Sequence, residues 1–169
     1  MQLNLKPISR AGIPAAIAKA ELYRDLNEPG EAESICRDIL AVEPGSQTAL
    51  RLLGLSITDQ FNGGVSDRIA EAESVFQSLT NDYERVYHLG ILHERKAKVR
   101  LKAGHPPHTI LPIFDHAMKC FEEAEAIRPP NNDEAILRWN RCVRLLQTRD
   151  SAEWRKEIEE FDASEGPPV

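Results

Sequence analysis

Cysteine is scarce, and what there is lies badly for chemistry: Cys36, Cys120 and Cys142 are odd in number, far apart and without a CxxC pair. That spacing argues against a disulfide framework or a thiolate zinc site and makes a reducing cytoplasm the expected location. Aromatic residues are only 6% of the 169, and the Val-Ile-Thr alternation of half-buried strands is nearly absent. No apolar run approaches the ~18 residues that would span a membrane. The opening MQLNLKPISRAGIP has no long apolar stretch ending at a small-residue cleavage site, so no secretory signal is expected. Positive charge is short as well. The 21 Lys and Arg against 27 Asp and Glu leave a net −6 and a pI near 5.4, which disfavours nucleic-acid or membrane-surface partners.

What the chain does have is helix. Ala, Leu, Glu and Arg dominate, and 41% hydrophobic with 28% charged residues is the balance of a soluble all-α domain. The clearest stretch is 115–130, DHAMKCFEEAEAIRPP. There Ala117, Phe121, Ala124 and Ile127 recur at helical spacing, charged residues lie between them, and Pro129 and Pro130 stop the ladder. Residues 1–12 show no period and are expected to pack loosely. From Ile13 a first helix turns Ile17, Ala20 and Tyr23 inward; after a turn at 27–30, a second carries Ala32, Ile35, Cys36, Ile39 and Leu40. Ser46 is placed to cap a third helix with Leu50, Leu53, Gly54 and Ile57 inside. Ser66 or Asp67 is placed to cap a fourth, with Ile69, Ala72, Val75, Phe76 and Leu79. Asn81 with Glu84 forms a capping-box pattern for an unusually long fifth helix whose inner face is Val86, Leu89, Gly90, His93, Ala97 and Leu101. The Pro- and His-rich stretch 103–112 reads as a loop before the sixth helix. Asn131 with Glu134 opens a seventh, with Ile136, Trp139, Val143 and Leu146 inside. Asp150 with Glu153 opens an eighth, where Trp154, Ile158 and Phe161 share a face. Residues 163–169 read as a frayed tail.

The helix pairs resemble one another. EAES occurs at 31–34 and again at 71–74, and Leu-Gly recurs at 53–54 and 89–90. Glycine inside a helix costs about 1 kcal/mol against alanine, so its repetition predicts close helix approach. With Ala20, Tyr23, Ala32 and Pro44 in the first unit, Leu50, Leu53, Gly54 and Ala72 in the second, and Leu89, Gly90, Ala117, Phe121, Ala124 and Pro129 in the third, the chain resembles the tetratricopeptide repeat. The second unit departs from that pattern by a turn about six residues too long, and the third by roughly fifteen extra residues. The resemblance implies an all-α, right-handed superhelical stack of antiparallel helix pairs over 13–149, a capping helix at 150–162 and a flexible tail.

Catalytic signatures are missing: no nucleophile–histidine set, no Gly-rich phosphate loop and no isolated carboxylate pair. Cys36 and Cys120 fall on packing faces. His88 and His93 point about 140° apart on one helix and cannot grip one ion. His105, His108 and His116 leave open a metal-dependent activity, although no carboxylate or cysteine stands at metal-site spacing; otherwise the chain needs no cofactor. Charge is more informative. Residues 84–102 hold six basic and two acidic residues, and residues 133–149 hold four arginines against two acids. Both are first helices of a pair, which in the repeat family line a concave groove for extended peptides. Carried onto this chain, that groove comprises Arg51, Leu55, Tyr87, Ile91, Lys98, Arg138 and Arg141: apolar ground flanked by cations, suited to an acidic peptide or protein. The same cations could simply be the solvated faces of their helices. A carboxylate clamp of the chaperone-tail-binding subset is not reproduced, since Ile17 and Glu21 stand at its first-unit positions. A second possibility is self-association through the long fifth helix and residues 103–112, or a secretion-chaperone role suggested by size and acidity.

Overall fold

The amphipathic stretches fold as helices throughout. The computed structural model describes residues 3–64, 66–149 and 152–164, which form eight α-helices and no strand. They are α1 (Ile13–Asp25), α2 (Pro29–Val42), α3 (Gln47–Asp59), α4 (Ile69–Gln77), α5 (Asp82–Lys102), α6 (Pro107–Ala126), α7 (Glu134–Arg149) and α8 (Ala152–Ser164). Pro14 and Pro29 sit in first turns, where a missing N–H costs nothing. The cap expected at Asn81 is present: its side-chain oxygen accepts from the Glu84 N–H at 2.9 Å. Each helix from α1 to α6 packs on the next, α1 also touches α3, α3 touches α5, and α8 lies on α6.

Two repeated glycines set how closely the pairs approach. A Cβ at Gly54 would fall 2.3 Å from the Phe76 ring, and one at Gly90 would fall 2.6 Å from the Phe121 ring. Both phenylalanines are fully buried. Each follows a fully buried alanine, Ala72 or Ala117, by four residues, and in α2 the corresponding alanine and partner are Ala32 and Cys36. There the partner is small, and the α1 residue at the glycine position is Ala20, also fully buried. A small residue opposite a large one thus sets the approach in the second and third pairs, where glycine faces phenylalanine, while in the first pair Ala20 and Cys36 are small members of one buried cluster.

Several local expectations need correction. Residues 103–112 are not a loop: the reversal occupies only 103–106, with Gly104 at φ 79°, and α6 starts at Pro107. The prolines mask the period, because Pro107 is tolerated at the first helical position while Ile110 and Phe114 behind it are fully buried. The extra residues of the third unit therefore lengthen its two helices to 21 and 20 residues, against 13 and 14 in the first pair. The long turn of the second unit is fastened rather than free. Asp67 does not cap α4; its carboxylate accepts from the N–H groups of Asn62 and Gly63, both at 2.9 Å. Neither Ser46 nor any side chain at the start of α4 makes a capping hydrogen bond.

The sixth helix ends at Ala126, leaving Ile127 51% exposed rather than inside. Asn131 takes φ 63°, so the capping oxygen of α7 belongs to Asn132, which accepts from the Glu134 N–H at 3.0 Å. The buried seam of α7 is Ala135 and Cys142, with Ile136, Trp139, Val143 and Leu146 half-buried beside it. At the N-terminus Ile8 packs on the Ile13–Ile39–Ala49 cluster and Ser9 caps a 3-10 turn at Arg10–Gly12, so residues 8–12 are tied down. Trp154, Ile158 and Phe161 are half-buried and Ala163 still belongs to α8; the Asp150 cap and residues 165–169 lie outside the described residues.

Candidate functional site

The odd-numbered helices share one face, and their side chains enclose a recess of about 280 Å³. α1 supplies Arg24, α3 Arg51 and Leu55, α5 Tyr87, Ile91 and Arg95, and α7 Arg138. Tyr87 and Ile91 stand one turn apart on α5 and are 8% and 2% exposed, so they form its floor. The Tyr87 ring lies 5.6 Å from the stacked Tyr83 ring, which fixes its plane. Burial pushes the Tyr87 phenol up, so it stays protonated as a hydrogen-bonding group beside Arg138.

The cations around this floor are largely neutralised from within. Arg24 and Arg95 share Asp59, at 2.8 and 2.7 Å, and Arg95 also donates to the Leu55 carbonyl at 3.1 Å. Arg138 reaches the fully buried Glu94 at 3.2 Å, and Lys98 pairs with the other oxygen of the same carboxylate. Arg51 is more loosely held, 3.9 Å from Glu84. These pairs lock the helices in register and leave the recess with shape and directed donors more than net charge.

A second recess, about 370 Å³, continues along α5 and α7 and is different in kind. Lys98, Lys102, Arg141 and Arg149 line it, with Leu101 and Leu145 between them and, among the described residues, no carboxylate. The seven groove residues read from the sequence therefore divide. Arg51, Leu55, Tyr87, Ile91 and Arg138 line the first recess; Lys98 and Arg141 line the second.

The sequence reading missed Arg24, Arg95, Lys102 and Arg149. The last two were within reach, because Lys98 and Lys102, and Arg141 and Arg149, repeat at one and two helical turns. Arg24 and Arg95 have no such signal, since their common partner Asp59 is more than thirty residues away from each.

The chain fits no family model, and neither curated proteins nor solved structures include a significant relative.

The histidines scatter. His108 stacks on Phe161 with ring centroids 3.8 Å apart, and His116 stacks on His93 at 4.0 Å, so His105, His108 and His116 do not converge. Among the described residues no group of three or more His, Cys, Asp or Glu side chains is placed to hold a metal ion. His88 lies against the Phe76 and Tyr87 rings, its Nδ1 2.6 Å from the Glu84 carbonyl. Burial pushes both His88 and His93 down to about 4. The three cysteines are buried, which raises the thiols of Cys36 and Cys120 to about 11 and that of Cys142 to about 12, disfavouring the nucleophilic thiolate. Among the described residues no helix is long and apolar enough to cross a membrane.

Proposed function

We propose that this chain is a non-catalytic docking protein, a tetratricopeptide-like right-handed superhelical stack capped by α8, whose odd-helix face takes an extended acidic segment of a partner protein. The observation that carries this reading is the composition of the second recess: among the described residues, four cations, two leucines and no carboxylate, next to a first recess walled by α1, α3, α5 and α7. An extended peptide lying across the face would set apolar side chains over Tyr87, Ile91 and Leu55. Its carboxylates would face Lys102, Arg141 and Arg149, whose charges steer approach and fix register more than they add affinity. Such docking requires no cofactor and no chemical step, and the buried thiols suit a reducing cytoplasm.

Peptides matched in apolar content but graded in net charge test this by fluorescence anisotropy. Affinity should rise with negative charge, fall with added salt, and drop about tenfold, roughly 1.4 kcal/mol, in the Lys102→Glu/Arg141→Glu double variant. Arg138 is left alone in that test, because reversing it would set two carboxylates against each other at buried Glu94. Equal binding of acidic and basic peptides, or an unchanged affinity in the double variant, would contradict the reading.

A further inference from the structure

The first helix is apolar on two opposite sides. Ile13 and Ala20 are buried against its neighbours and Ile17 is half-buried with them. On the far side Ala15, Ala18 and Leu22, with Ala11 in the 3-10 turn that leads into the helix and Leu26 at its C-cap, recur every three or four residues and are all exposed, Leu22 at 46% and Leu26 at 57%. That spacing gathers them into one stripe along the helix. A solvated helix face would carry polar residues here, and the outer positions of α2 and α6 do.

Charge and size along the stripe identify what covers it. From residue 3 to residue 20 the charged residues are Lys6, Arg10 and Lys19, with no acid. From 21 to 28 they are Glu21, Arg24, Asp25 and Glu28, and Arg24 is turned away onto Asp59. The stripe is likewise small at its N-terminal end, three alanines, and large at its C-terminal end, two leucines. Two copies of α1 laid antiparallel put leucine on alanine and acid on base at both ends, with opposed helix dipoles; laid parallel, they put like on like. We infer that α1 is a dimer interface, in which the outer stripe of one copy packs antiparallel on that of a second copy of this chain.

This surface differs from the fifth helix and its following turn, the region that sequence alone suggested for self-association. In α5 only Asp82 and Lys102 are exposed, and its partly open side already lines the two recesses, so it carries no exposed apolar stripe like that of α1. Arg24 points to the opposite side of α1 from Leu22 and Leu26, so pairing leaves the odd-helix recess open.

Sedimentation across a dilution series tests the inference on the full chain. Wild type should be a dimer that dissociates on dilution, and Leu22→Glu/Leu26→Glu should be monomeric with an unchanged helical circular-dichroism spectrum. Arg10→Glu alone and Asp25→Arg alone should each weaken self-association about tenfold, because each sets like charges together at both ends. An equimolar mixture of those two variants should recover the wild-type affinity as a heterodimer. A wild type that stays monomeric at the highest concentration, a dimer that survives the leucine changes, or a mixture that fails to recover would overturn it. Loss of dimerisation should leave acidic-peptide binding intact, which separates this result from the docking proposal.

Discussion

Gly54→Ala is expected to lower stability by about 2 kcal/mol, although alanine is the better helix former. The added methyl would meet Phe76 Cε1 at 2.3 Å and the Cδ1 and Cζ atoms at 2.7 Å, and that ring is fully buried with nowhere to turn. Overpacking of this kind costs about 1–3 kcal/mol or more, against a gain of about 1 kcal/mol in helix propensity. Gly90→Ala, facing Phe121 at 2.6 Å, should behave alike. The diagnostic variant is Gly54→Ala/Phe76→Leu. It rebuilds the smaller seam that Ala20 and Cys36 already show is viable, so the double change should cost at least about 1 kcal/mol less than the two single changes added together. Urea denaturation of the four proteins in the cycle gives the coupling. Strict additivity would mean that glycine and phenylalanine are not partners.

Acid should unfold the protein in two overlapping limbs. His88 and His93 sit at about 4 in the fold against 6.5 when free, because burial disfavours the charged ring. The unfolded chain then binds more protons below 6.5, so the stability they contribute is complete above 6.5 and is lost as pH falls to about 4. Glu33 supplies the second limb. It is 9% exposed, yet Arg68 grips both its oxygens at 2.6 Å, Arg37 reaches one at 2.6 Å, and Gln60 donates to the other at 2.7 Å. The Arg68 hydrogen bonds are the largest cause of its carboxyl being held down to about 2 from 4.5, working against burial. Its contribution is complete above 4.5 and lost as pH falls toward 2. Glu33 is worth about 2 kcal/mol after allowing for the solvent around the arginines that hold it. Melting temperature followed against pH should show both limbs. Glu33→Gln should flatten the lower one while lowering stability at neutral pH, and His88→Asn should flatten part of the upper one. A melting temperature unchanged between pH 6.5 and 4 would contradict the first limb.

The same carboxylate explains why one part of the chain was hard to read. The turn between α3 and α4 looks too long for a compact repeat, but Gln60 and Arg68 at its ends are both tied to Glu33 on α2. A surplus loop is in fact a clasp between successive pairs. Helices with a clean period were legible: the inward places of Ala117, Phe121 and Ala124 follow from spacing alone, as do the two close glycines. Where proline overlies the period, as at Pro106, Pro107 and Pro112, a breaker was read where helix continues, because burial of Ile110 and Phe114 outweighs local propensity. At the recess, sequence gave the helices and their charge but not the pairing. Nothing local tells that Arg24 and Arg95 meet at Asp59, or that Glu94 is buried between Lys98 and Arg138, since those partners depend on how the helices stack.

The most direct test of the docking face is a map of amide chemical shifts on the isotopically labelled chain as an acidic peptide is titrated in. Shifts should gather on the facing sides of α3, α5 and α7, strongest around Lys98, Lys102, Arg141 and Arg149, and collapse with added salt. Shifts centred on α2, α4 or α6, or none at peptide concentrations well above that of the protein, would contradict the account.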